Sequence, residues 1–136
     1  MPPLSELRSQ RYSDGVNRLG ELERAIMDVL WETTSPLTVR AVSERLTERD
    51  LAHTTVMTVL ERLAKKGFAL RERDGRAWLY QAAASREAYV TELMLSALDQ
   101  AGDRQAALAR FARSVSDSEA RALRGALETF EGRSED

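Results

Sequence analysis

The chain has 136 residues, 43% of them hydrophobic, a net charge of −2 and no cysteine. That length suits one domain, or a small domain carrying an oligomerisation appendage. The missing thiols exclude a disulfide frame, a thiol switch and a thiolate metal site. The single histidine, His53, cannot assemble a metal cluster alone and has no nucleophile motif around it. Neither an enzyme nor a bound cofactor is therefore expected.

The charge is unevenly placed. Residues 1–81 carry a net +1 and residues 82–136 a net −3, and within 51–80 six basic residues face three acidic ones. Phosphates respond to local charge, so a mildly acidic chain can still hold a basic DNA-binding surface.

Residues 1–18 hold two prolines, Gly15 and scattered charge without a period, and read as a flexible arm. Arg8, Arg11 and Arg18 can brush DNA, but the interspersed Glu6 and Asp14 favour a solvated tail. The arm has no apolar signal-peptide region, and no apolar run approaches the roughly 20 residues that span a bilayer. A cytoplasmic protein without membrane insertion is expected.

Leu19, Leu22, Ile26, Val29 and Leu30 recur at helical spacing, with Trp31 closing the stretch as a core plug. Ser35-Pro36 ends this first helix. Leu37-Thr38-Val39 is short enough to pair as a small strand, and Thr38 suits the N-cap of a second helix with Val39, Val42 and Leu46 as its stripe. Residues 47–50 then turn into a third helix, the spacing of a helix-turn-helix.

That third helix, His53–Lys66, is the most informative segment. At about 100° per residue, Val56, Val59, Leu60 and Leu63 share one side. Thr54, Thr58, Glu61 and Lys65 lie opposite, flanked by Met57 on one edge and by Thr55 and Arg62 on the other. Three β-branched threonines are poor choices for a merely solvated face. A threonine hydroxyl suits a base edge or phosphate, and its methyl suits a thymine methyl. The plainer alternative, that Thr54 or Thr55 only caps the helix, leaves Thr58 and Arg62 unexplained. Gly67 fits a left-handed helix end.

Phe68–Tyr80 follows as a hairpin turning at Asp74-Gly75, where a type I′ turn is expected. Phe68, Leu70 and Glu72 alternate with Ala69, Arg71 and Arg73, and Arg76, Trp78 and Tyr80 alternate with Ala77 and Leu79. Arginines often decorate exposed edges. Directly after a threonine-rich helix, Arg71, Arg73 and Arg76 form a basic wing suited to phosphates or a minor groove. The expected fold is mainly α with a small β-wing: a winged helix over residues 19–82, followed by helices.

Residues 83–131 carry three apolar stripes: Tyr89, Val90, Leu93, Met94, Ala97, Leu98 and Ala101; then Leu108, Phe111, Ala112 and Val115; then Ala120, Leu123, Leu127 and Phe130. Gly102-Asp103 breaks the first helix, and Ser116–Glu119 is a capping box opening the third. Three short amphipathic helices have little core of their own, so a three-helix dimerisation domain is expected, ending in a disordered polar tail at 132–136. Packing back onto the first domain of a monomer is the alternative.

Two segments resemble the penicillinase repressor family, the BlaI/MecI/CopY group of bacterial winged-helix repressors. Leu19–Trp31 looks like that family's first helix, ending in its tryptophan, and Thr54–Gly67 looks like its recognition helix; the likeness covers about residues 18–131. The resemblance implies a homodimer on an inverted-repeat DNA operator, repressing β-lactamase or penicillin-binding-protein genes. It also implies relief through a membrane-bound sensor with protease activity that leads to cleavage of the repressor in its dimerisation region. Characterised members are cut between asparagine and phenylalanine; the matching place here is Arg110-Phe111, which keeps only the aromatic. Those members use an arginine where Met57 stands, whereas Thr55 and Thr58 match. Copper-responsive members carry C-terminal cysteines, which this chain lacks.

On this reading Thr55, Met57 and Thr58 meet bases, His53, Arg62, Lys65, Arg71, Arg73 and Arg76 hold phosphates, and Thr54 belongs to the same DNA-binding face. Tyr89, Val90, Leu93, Met94, Leu98, Leu108, Phe111, Leu123 and Leu127 form the dimer contact. Two rival functions stay open: a winged-helix protein-interaction module, which would lack the outward polar and basic face, and a regulator with a small-ligand pocket lined by Tyr89, Trp78 and Tyr80, residues whose aromatic bulk favours the core instead.

Overall fold

A computed structural model describes residues 19–134, with side chains through Phe130. The N-terminal arm at 1–18 and the last two residues lie outside the described residues. The elements are α1 (Glu21–Trp31), β1 (Leu37–Thr38), α2 (Val39–Arg45), α3 (His53–Lys66), β2 (Ala69–Asp74), β3 (Ala77–Ala82), α4 (Arg86–Asp99), α5 (Arg104–Ser114) and α6 (Asp117–Ser134). No described helix is long and apolar enough to cross a membrane.

Two compact units divide between Met94 and Leu95. The first is a winged helix. Its three-stranded antiparallel sheet has the order β1-β3-β2, with Leu37 opposite Tyr80 and Arg71 opposite the same tyrosine on the other side. Ile26, Met27, Leu30, Val42, Val56, Leu60, Leu63 and Tyr80 are its most deeply buried side chains. Each such side chain contributes on the order of 1.5–3 kcal/mol of apolar transfer energy.

Local chemistry explains the element ends. The Thr38 hydroxyl accepts from the Ala41 N–H at 3.1 Å, capping α2 while Thr38 itself pairs with Leu79. Gly67 ends α3 at φ 88°, in the left-handed region. The connection from α2 to α3 runs over residues 46–52, longer than the four-residue turn read from the sequence.

The hairpin turn differs from expectation. Asp74 pairs with Ala77, so the two loop residues are Gly75 and Arg76 rather than Asp74 and Gly75. Gly75 has φ 63° and no non-glycine residue among those described has positive φ, which is the type II′ pattern. One glycine at the first loop position suffices, so no left-handed side-chain-bearing residue is required.

The α4 helix starts from the Ser85 hydroxyl, which accepts from the Ala88 N–H. Its first turns belong to the winged-helix unit. Tyr89 is 6% exposed among core residues and accepts a 2.9 Å hydrogen bond from the Leu19 N–H. It also packs against Trp31 and, edge-on, Phe68. Trp31, expected to plug the core, is half-buried against it and donates from Nε1 to the Ala84 carbonyl at 3.0 Å.

The second unit comprises the end of α4, α5 and α6. The Asp103 carboxylate caps α5 by accepting from the Ala106 N–H. At α6 the capping box closes in both directions, with Ser116 N–H donating to Glu119 and Glu119 N–H donating to the Ser116 hydroxyl. The expected disordered tail begins too early, because α6 runs on through Ser134. Among the described side chains of 95–130, none is buried.

Candidate nucleic-acid interface

The α3 helix separates its two faces as its periodicity requires. Val56, Val59, Leu60 and Leu63 are buried, while His53, Thr54, Thr55, Thr58, Glu61, Arg62 and Lys65 are exposed and Met57 is half-buried at the edge. The N-cap is Ala52, without a side-chain cap. Thr54 and Thr55 therefore lie within the helix, which removes the capping explanation for them. The uncapped first-turn amides and the absence of an acidic residue in that turn leave a helix start suited to a phosphate.

Thr58 is more constrained than its exposure suggests. Its Oγ1 donates to the Thr54 carbonyl at 2.8 Å. The hydroxyl proton is engaged within the helix, leaving oxygen lone pairs and the methyl facing outward. In this rotamer Thr58 can accept from a base amino group or touch a thymine methyl, but it cannot donate.

Lys66, the residue after the outward Lys65, turns back into the fold. Its Nζ meets Glu23 Oε2 at 2.9 Å, and Glu23 Oε1 accepts from the Gly20 N–H at 3.0 Å. Burial pushes the Glu23 carboxyl upward, but the Gly20 N–H, Lys66 and the nearby Arg62 charge outweigh it and hold the carboxyl below its ordinary value. The buried Glu23 was missed from the sequence; its capping-box spacing from Gly20 was the available signal.

The wing extends from the helix-packed side of the sheet. Ala69 and Tyr80 are buried on that face, and Arg71, Arg73 and Trp78 continue it toward the tip. The Arg71 and Arg73 guanidiniums lie 4.2 and 4.9 Å from the Trp78 ring centroid. Arg71 also borders an open groove with Glu61, Ala64 and Lys65 of α3. Of the wing arginines, Arg71 thus adjoins α3 on one surface. Arg76 occupies the turn itself and is exposed.

Of the three aromatic residues weighed between a ligand pocket and the core, two take the core reading. Tyr80 and Tyr89 are core residues, and Trp78 lies beneath the two arginines. Among the predicted dimer contacts, Tyr89 is enclosed by its own unit, its ring and hydroxyl packed and bonded there. Leu93 is partly buried against the same core, and Leu98 is half-buried. Val90 and Met94 are exposed on α4; Leu108, Phe111, Leu123 and Leu127 are 41–58% exposed on α5 and α6. Arg110 and Phe111 sit within α5, so cutting between them requires local unwinding of that helix.

The profile of the penicillinase repressor family matches residues 19–129. The transcriptional regulator BlaI of Mycobacterium tuberculosis is 54% identical over 120 residues, covering 85% of this chain and 87% of that protein. Among solved structures, the DNA-binding domain of the repressor BlaI matches 52% of this chain and 85% of its own, at 25% identity and TM-score 0.46. The monomeric form of Bacillus licheniformis BlaI in complex with the blaP half-operator matches with the same identity and coverage, at TM-score 0.44.

Proposed function

We propose that this chain, which belongs to the penicillinase repressor family and is a DNA-binding transcriptional repressor, acts as a homodimer on an inverted-repeat operator. The observation that carries this reading is the outward face of α3, rich in threonine and basic residues, adjoining the arginine-bearing wing. Each copy lays α3 in a major groove, the two grooves about one helical turn apart. Thr54, Thr55, Met57 and Thr58 meet base edges, with Met57 against a thymine methyl. His53, Arg62, Lys65, Arg71, Arg73 and Arg76 contact phosphates, fixing register without reading sequence.

The second unit supports pairing. Its helices expose Leu108, Phe111, Leu123, Leu127 and Phe130, and none of its described side chains is buried. Helices with apolar stripes and no core of their own gain most by packing against a second copy. Pairing also raises affinity, because the second half-site is bound at high effective concentration.

Operator occupancy blocks transcription of β-lactamase or related cell-wall genes in the cytoplasm. A membrane-bound sensor-protease relieves it by severing the chain near Arg110-Phe111, which detaches α6 and part of α5 from the pairing surface. Selection from randomised duplexes followed by footprinting tests the arrangement. Two symmetric half-sites with centres one turn apart are the expected result; a single unpaired site, or no enriched sequence, contradicts it.

A further inference from the structure

We propose that Trp78 is a positioning residue for DNA binding, a platform that holds Arg71 and Arg73 as a paired cation on the wing; this rests on the DNA-binding reading above. Trp78 stands directly opposite Arg73 across the β2–β3 ladder, and Arg71 is the diagonal neighbour on the same face. Both guanidiniums fall within the roughly 6 Å over which an aromatic face attracts a cation, at 4.9 and 4.2 Å. Both arginine side chains are exposed, and neither forms an ion pair among the described residues. The two guanidiniums share this one ring.

The chemistry of the stack makes it a device for phosphates. A guanidinium resting on an aromatic ring engages through its flat face, while its N–H donors point outward in the plane. The two side chains are ordered before DNA arrives and their donors remain open. Ordering a long side chain at an interface costs conformational entropy; the ring removes part of that cost twice. A carboxylate partner would order the arginines equally well but would cancel the charge and occupy the donors. The Ala69 and Tyr80 end of the same face is buried in the core, so the platform is anchored to the body that carries α3.

The test uses the full chain and a mixed-sequence duplex several helical turns long, since phosphate binding does not need the operator. Affinity is measured across a salt series for wild type, Trp78→Leu, Trp78→Phe, Arg71→Ala/Arg73→Ala, and that double variant combined with Trp78→Leu. Leucine keeps apolar bulk without a π face, and phenylalanine keeps the face. Trp78→Phe is expected to bind within about twofold of wild type. Trp78→Leu is expected to bind roughly tenfold more weakly, with a salt slope shallower by about one for each phosphate that is no longer neutralised, and to have no further effect once both arginines are alanine. Equal binding by Trp78→Leu and wild type overturns the proposal, as does a Trp78→Leu loss that persists in full without the arginines, which marks a merely structural tryptophan. A wild-type chain that fails to bind any duplex overturns the DNA-binding reading itself and this proposal with it.

Discussion

Lys66 Nζ rests 2.9 Å from Glu23 Oε2, tying the last turn of α3 to the first turn of α1. The same carboxylate accepts from the Gly20 N–H, so one buried group closes a helix cap and fixes the end of α3. Adjacent lysines thus divide their tasks: Lys65 faces solvent and Lys66 is half-buried against the fold.

Acid should weaken the fold through Glu23. Its carboxyl is held below the ordinary value, so its contribution is fully present above the unfolded-state pKa and is lost as pH falls through the lower, folded one. Glu23→Gln should cost about 1–2 kcal/mol near neutrality and flatten the decline on the acid side. Urea unfolding of both proteins at stepped pH checks this; parallel curves at every pH contradict it.

Tyr80→Phe should leave stability within about 1 kcal/mol of wild type, on the stabilising side. The hydroxyl of Tyr80 is buried without a hydrogen-bond partner among the described residues, and an unsatisfied buried polar group opposes folding. Thermal unfolding measures it, and a destabilisation above about 2 kcal/mol would show that the hydroxyl has a partner.

Arg62→Ala and Thr58→Ala should fail in different ways. Arg62→Ala is expected to weaken binding to every duplex and reduce the salt slope by about one. Thr58→Ala, which removes a methyl and an acceptor from the outward face, should narrow the gap between preferred and altered sequences by roughly 1–3 kcal/mol at one base position. Affinities on a panel of single-base variants separate the two patterns.

Leu127→Glu should break the proposed dimer while leaving the winged helix folded, because Leu127 is 58% exposed in the second unit and the core of the first does not include it. Sedimentation is expected to give a monomer with helical circular dichroism close to wild type and operator affinity lower by about a hundredfold. An unchanged dimer places the pairing surface elsewhere.

Most of the winged helix was legible because its periods are clean. The four buried positions of α3 follow from spacing alone, and so do the Thr38 cap and the Gly67 terminus. Three features depended on what the chain meets in space. The turn loop shifted by one residue because strand register, not the Asp-Gly pair alone, decides which two residues turn. Tyr89 belonged to a helical stripe and still joined the first core, since periodicity identifies a face without identifying its partner. Trp78 was legible as sharing a strand face with Tyr80 but not as a seat for two arginines, which requires knowing that Arg73 lies opposite it.

Fluorescence anisotropy on the intergenic DNA upstream of the chain's own gene, against a scrambled duplex at near-physiological salt, tests the central claim most directly. A sequence-specific repressor should prefer one upstream site over scrambled DNA by roughly a thousandfold or more. Equal, weak and salt-sensitive binding to both, with no preference among fragments of the whole genome, would contradict it.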